Sequence, residues 1–218
     1  MAKPTQAASV GDTIITWIDG GRILPGDWID EKHLMESCGV SRTPVREALI
    51  QLEADGLLVR HPRKGMHLFQ PSVEEFLAIL EIHANLEAHA AELAALRISP
   101  AQLTILQSSA DACSECLASG NLEDHAHYYS LNLRLHAAIA DASANPFLID
   151  LIKLNARKLM AYYRLRYRTP GAIEQSVQEH VAIVEFIADR DPDGARAAMM
   201  AHFNYNRETV MHMLASVR

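Results

Sequence analysis

Cysteine is scarce: Cys38, Cys113 and Cys116 are the only three in 218 residues. So small and odd a set argues against a disulfide framework. Cys113-Ser-Glu-Cys116 is the only close pair. With no second CxxC or nearby ligand cluster to complete a zinc or redox site, these cysteines read as packing residues. Long apolar runs are missing too. Nothing approaches the roughly 20 uninterrupted apolar residues of a membrane span. Met1 to Ser9 hold one Lys and no stretch of signal-peptide length. A cytoplasmic protein with no membrane partner is therefore expected. There is no repeat and no low-complexity tract. No HExxH is present, and no motif sets a general base beside possible metal ligands, so the chain does not read as an enzyme.

Positive charge is in short supply as well, with 20 Lys and Arg against 27 Asp and Glu, a net charge of −7. Taken whole, that argues against a nucleic-acid partner, because phosphates are neutralised by Lys and Arg. The acidity is uneven, however. Residues 1–70 hold 8 basic against 9 acidic side chains, net −1, and residues 71–218 hold 12 against 18, net −6. Within the first part, Arg42, Arg46, Arg60, Arg63 and Lys64 crowd a short stretch and offer a local positive footprint that the total conceals.

What is present is helical punctuation and a 49% hydrophobic content, enough for a globular core. Residues 8–20 carry Val10, Ile14, Ile15 and Ile18 at helical spacing and end at Gly20-Gly21. Asp30 can cap a second helix that Gly39 closes. Ser41 offers a cap for a third, with Pro44 confined to its first turn and Val45, Ala48, Leu49 and Leu52 as its inner face. Leu57–Arg60 and Met66–Phe69 then read as strands joined by a hairpin through Pro62-Arg63-Lys64. Gln70-Pro71-Ser72 breaks the pattern. Ser99-Pro100, Gly120-Asn121, Asn145-Pro146, Thr169-Pro170 and Asp191-Pro192 each stop one helix and start the next, predicting about six helices over residues 73–217. The expected fold class is mainly α. A winged helix-turn-helix of three helices and a two-stranded wing fills residues 1–70, and an all-α helical bundle fills residues 71–218.

A recognition helix needs Arg at its start for guanine edges and hydroxyls for phosphates. Gly39-Val-Ser-Arg-Thr-Pro-Val-Arg46 meets that need. Arg42 and Arg46 share a face, Ser41 and Thr43 stand at the helix start, and the wing tip Arg63-Lys64-Gly65 can reach a neighbouring groove or the backbone. One winged helix reads only a short half-site, so a homodimer on a palindromic double-stranded operator is the expected DNA-bound form. In the second half, Asn132 and His136 stand four apart, and His180 and His202 lie on later helices flanked by apolar residues. Such histidines serve either as satisfied core residues or as metal ligands. The run Tyr162–Arg168 closes a helix, where its arginines complement the dipole and its tyrosines pack.

With Pro25-Gly-Asp-Trp-Ile, Gly39–Leu49, Leu52-Glu-Ala-Asp-Gly-Leu57 and Lys64-Gly65, the chain resembles the GntR family of regulators, in its FadR-type branch with an FCD effector domain. That resemblance implies DNA contacts at Arg42, Thr43, Arg46 and Gly65, with Lys32 near the DNA backbone. It implies a repressor released by a small metabolite, often an organic acid. It also implies a divalent transition metal, zinc or nickel, held by Asn132, His136, His180 and His202. Two departures stand out. Asn132 occupies a position that is often Asp, which leaves the site a negative charge short. His83, four residues before Glu87, stands where an Arg is common, which removes a simple carboxylate clamp. His83 and Asn206, one turn past His202 on a helix extended through it, are the expected effector contacts. A metal-free regulator with a pocket for a less acidic ligand is the alternative.

Overall fold

The computed structural model describes residues 5–120, 124–205 and 207–215. The chain divides into two compact units, residues 1–72 and 73–216.

The N-terminal unit holds α1 (Gln6–Asp19), α2 (Glu31–Cys38), α3 (Arg42–Ala54), β1 (Leu58–His61) and β2 (Gly65–Leu68). Its boundaries follow local chemistry. Thr5 and Asp30 accept backbone N–H groups at the starts of α1 and α2, satisfying donors that have no intrahelical partner. Gly39 closes α2 at φ 64°, a left-handed conformation in which a Cβ is costly. Ser41 stands at the N-cap of α3 with extended backbone, but its hydroxyl makes no cap bond and remains exposed. Val45, Ala48, Leu49 and Leu52 turn inward at i, i+3, i+4 and i+7. They meet Val10, Ile14 and Ile18 of α1, all essentially inaccessible to solvent. The strands pair antiparallel with Val59 opposite His67, and Trp28 adds one bridge to His67.

The C-terminal unit contains α4 (Val73–Arg97), α5 (Pro100–Ala118), α6 (His125–Ala142), α7 (Pro146–Arg166), α8 (Ala172–Ala188), α9 (Pro192–His202) and α10 (Arg207–Ala215). Among the described residues this makes seven helices rather than about six. The extra break is at Phe203–Tyr205, where the chain leaves α9 without the Pro or Gly that marks every other junction. Proline at the first helical position and a capping Ser99, Asn145 or Asp191 start α5, α7 and α9. Gly194 follows the Asp191 cap closely. A Cβ there would meet the Phe186 ring and the Asp191 carboxylate, so a larger residue in this first turn of α9 would have to displace them.

Helix α4 is the spine of the bundle, packed against α6, α7, α8 and α9. Its buried alanines 84, 88, 91 and 95 let neighbouring helices approach closely. Ala90 and Leu93 join Ala140, Leu148 and Ile152 in one apolar cluster. The loop ends are tied back to α4, with Arg97 donating to the Ser143 carbonyl at 2.8 Å and Arg190 to the Ile98 carbonyl at 2.8 Å. Cys113 and Cys116 are free thiols on the inner face of α5. Burial pushes the Cys113 thiol up to about 12, consistent with a packing role.

Candidate functional site

The reading face of α3 is the side that does not pack. Ser41, Arg42, Thr43 and Arg46 are all exposed, while Pro44, Val45, Ala48 and Leu49 between them are buried. The fold therefore separates the two sets by helix geometry alone. Arg46 leans on Glu31 at 3.7 Å, a loose surface pair, and Lys32 on Glu36 at 3.8 Å. Such pairs hold little energy and can be exchanged for phosphate contacts. Arg60 departs from its expected part in the positive footprint. Its guanidinium clamps Glu53 through Nε, with contacts of 2.9 and 3.0 Å, so its charge is spent inside the domain. The hydrogen bond to Arg60 holds the Glu53 carboxyl below the usual range. At the wing tip, Arg63 has φ 66° and Gly65 φ 99°, and Pro62, Arg63 and Lys64 are exposed.

In the C-terminal unit, α6, α8 and α9 bring His136, His180 and His202 together, with one ligand nitrogen of each within 4.8 Å of the others. Metal–nitrogen bonds of about 2.0–2.1 Å can close such a spread with small side-chain rotations. Two carboxylates fix the rings. Glu87 on α4 lies 3.3 Å from His136 Nδ1, and Glu179 on α8 lies 2.7 Å from His202 Nδ1. A carboxylate only accepts, so in both rings Nδ1 carries a hydrogen, which in the neutral tautomer leaves Nε2 with the lone pair. His180 is fully buried and neither of its ring nitrogens has a hydrogen-bond partner. An orphaned buried imidazole facing two others with free Nε2 atoms fits a metal ion better than it fits a satisfied core.

The electrostatics agree. Burial, reinforced by neighbouring histidines and Arg166, keeps His180 and His202 well below the ordinary imidazole value, so both are neutral, the form a metal requires. Burial also drives His83 down to about 4. Burial alone would raise Glu87, but the His136 contact holds its carboxyl below the usual range. Burial raises Glu179, against the opposing pull of Gln175 and Arg166.

Asn132 lies in the same cavity wall, its Oδ1 accepting from the Tyr167 hydroxyl at 2.9 Å. A carbonyl oxygen has a second lone pair, so this bond orients the amide without using it up. His83 is buried between the rings of Tyr163 and Phe203, 3.6 Å from Glu87, with Nδ1 unpartnered. Asn206 lies outside the described residues. Helix α9 ends at His202.

A sequence match settles the family. Residues 6–68 match the model of bacterial regulatory proteins of the gntR family, and residues 78–205 match the FCD domain. The chain belongs to the GntR family, with an FCD domain. Such GntR proteins are transcriptional regulators, not enzymes: an HTH domain that implies DNA binding is joined to an effector-binding domain. Among its relatives is the HTH-type transcriptional regulator YdhC of Bacillus subtilis, 31% identical over 198 residues, covering 90% of this chain and 87% of that one. LutR of Bacillus subtilis is 30% identical over 215 residues, covering 89% and 95%. The transcriptional repressor RspR of Escherichia coli is 26% identical over 191 residues, covering 86% and 81%. The solved structure of E. coli McbR/YncC shares the fold, with a TM-score of 0.83 at 21% identity over 96% of this chain and 98% of that one.

Five residues around the FCD cavity of this GntR protein were not legible as such. Glu179 is visible only as the neighbour of His180, and nothing local shows that it reaches His202 across the bundle. Arg166 reads as a helix-end charge, yet it is 3% exposed, 3.9 Å from Glu179 and stacked over the Tyr205 ring at 4.5 Å. Tyr163, Tyr167 and Tyr205 line the cavity beside the histidines. Among the described residues no helix is long and apolar enough to cross a membrane.

Proposed function

We propose that this GntR protein is a homodimeric, metabolite-responsive repressor of the FadR type. It would read a palindromic operator through α3 and the wing and sense an organic acid at a metal held by its FCD domain. The observation that carries the sensing half is the His136–His180–His202 cluster, in particular the buried His180 ring with two unpartnered nitrogens.

Arg42 and Arg46 read base edges in the major groove. Ser41, Thr43 and Lys32 hold phosphates, and the uncapped Ser41 hydroxyl is free for that purpose. Arg63 and Lys64, set by Gly65, reach the flanking groove or backbone. His136, His180 and His202 would supply three ring nitrogens and Asn132 a neutral oxygen as the fourth ligand, a set that suits zinc or nickel. When bound, such an ion supplies a positive centre with open positions for an anionic group. His83 faces the same cavity as a neutral imidazole and offers a hydrogen bond rather than a charge. Effector binding shifts the spacing or angle of the two reading heads only by as much as it prefers one arrangement to the other. The repressor sense is supported by the likeness to RspR.

A second reading, a metal-free regulator with a diverged pocket, is favoured by the Tyr167–Asn132 bond, which gives the amide oxygen a partner without any ion. The two are separated by measuring operator binding by fluorescence anisotropy with native and chelator-stripped protein, with and without candidate acids. The metal-sensor reading requires that an acid release DNA only from the metal-loaded form. Equal response from both forms would leave the metal-free reading.

A further inference from the structure

The geometry points to an effector that is a monoanionic acid carrying an apolar body of roughly six carbons, rather than a compact polyacid. This inference rests on the sensor function proposed above and specifies the class of molecule that its cavity takes.

The cavity holds about 260 Å³. At roughly 30 Å³ per water-sized unit, that is room for roughly nine non-hydrogen atoms. Its polar groups gather at one end, where His83, Glu87, Asn132, His136 and His202 face the space together with tyrosine rings. The other walls are apolar and come from α6 and α7: Leu133, Ala137, Ala140, Ile149, Ile152 and Met160. Ala140 stands one helical turn beyond His136, about 6 Å along the axis, so the apolar stretch runs away from the histidines for about that length. It ends at a rim formed by Asp141 and Lys153, both exposed.

The charge inventory limits the head. No arginine lines the cavity among the described residues, and Lys153 sits only at the wet rim. Arg166 is buried against the Tyr167 and Tyr205 rings and Glu179 and does not line the cavity, so the positive centre open to its inner end is the one that the histidine cluster would hold. It accepts one anionic group. A second carboxylate on a short skeleton would lie against Glu87 or against Ala137 and Ala140, unpaired and out of water, which is expensive. An apolar body instead covers those walls and gains affinity with each methylene, about fourfold apiece.

The test is calorimetric titration of the full chain, zinc-loaded and chelator-stripped, with straight-chain monocarboxylates from propanoate to decanoate and with citrate. The dissociation constant should fall about fourfold per methylene up to about heptanoate and then level off where the chain meets the rim. Citrate should bind more weakly than hexanoate. Ala156→Leu, which fills the apolar part from α7, should shift the optimum to a shorter chain while zinc content stays unchanged. Citrate binding tighter than every monoacid, affinity independent of chain length, or no monoacid binding at millimolar concentration would each overturn the proposal. A chain-length dependence retained without zinc would support it while removing the metal from the sensing function. Zinc bound without such dependence would refute this proposal alone.

Discussion

Glu179 is the most informative single position in the FCD site, because it does not itself line the cavity and is not itself placed to bind a metal. It accepts from His202 Nδ1 at 2.7 Å, a charge-assisted bond that fixes the tautomer and aims Nε2 at His136 and His180. Loss of such an outer carboxylate typically costs 10–100-fold in metal affinity. Glu179→Gln keeps an oxygen acceptor and loses the charge, so about tenfold is expected. Glu179→Ala frees the ring to choose its tautomer, and about 100-fold is expected, roughly 1.4 and 2.7 kcal/mol. Competition against a fluorescent chelator measures both. Circular dichroism and metal-free melting serve as controls, since Glu179 is partly exposed and its removal should leave the fold intact. Affinity unchanged in both variants would refute the geometry, because it would mean that His202 does not ligate or that its orientation is set elsewhere.

Other consequences follow from named contacts. Arg46→Ala should cost about 1–3 kcal/mol of operator affinity and relax base preference while shifting stability by less than about 0.5 kcal/mol; retained affinity with retained sequence preference would overturn the groove assignment. His136→Ala combined with His180→Ala should strip transition metal from purified protein, as read by elemental analysis. The pH dependence has a defined sign. His83 is neutral in the folded chain down to about 4, while an unperturbed imidazole titrates near 6.5, so the unfolded chain takes up the proton first as pH falls. Stability is therefore lost between those two values, by about 3 kcal/mol. His83→Asn should flatten that acid limb in melts recorded from pH 7 to 4, and an unchanged limb would contradict the burial. Iodoacetamide should label half-exposed Cys38 well before Cys113 and Cys116, as peptide mass mapping can show.

The winged helix was legible because its signals are local. Asp30 and Gly39 act within their own turn, and the alternation between exposed arginines and buried aliphatics on α3 is a matter of helix period. The helices of the FCD domain were equally plain wherever proline marked a start. The break after His202 was not, since Asn204 and Tyr205 lack the stereochemical force of Pro or Gly. The four candidate ligands were read from spacing and family resemblance, and three of them, His136, His180 and His202, lie together. Their partners were not, because the Glu87–His136 and Glu179–His202 pairs join residues 49 and 23 apart. Arg166 shows the same limit. Its place in the last turn of α7 is readable, but its burial depends on Tyr205 folding over it from beyond α9.

Elemental analysis of the native protein, paired with operator binding before and after chelation, tests the central claim most directly. About one first-row transition ion per chain, with release of operator by an organic acid only when that ion is present, is the predicted result. A protein that carries no such ion as purified, takes none up, and responds to effector identically after chelation would contradict the metal-sensing account and leave the GntR reading head without it.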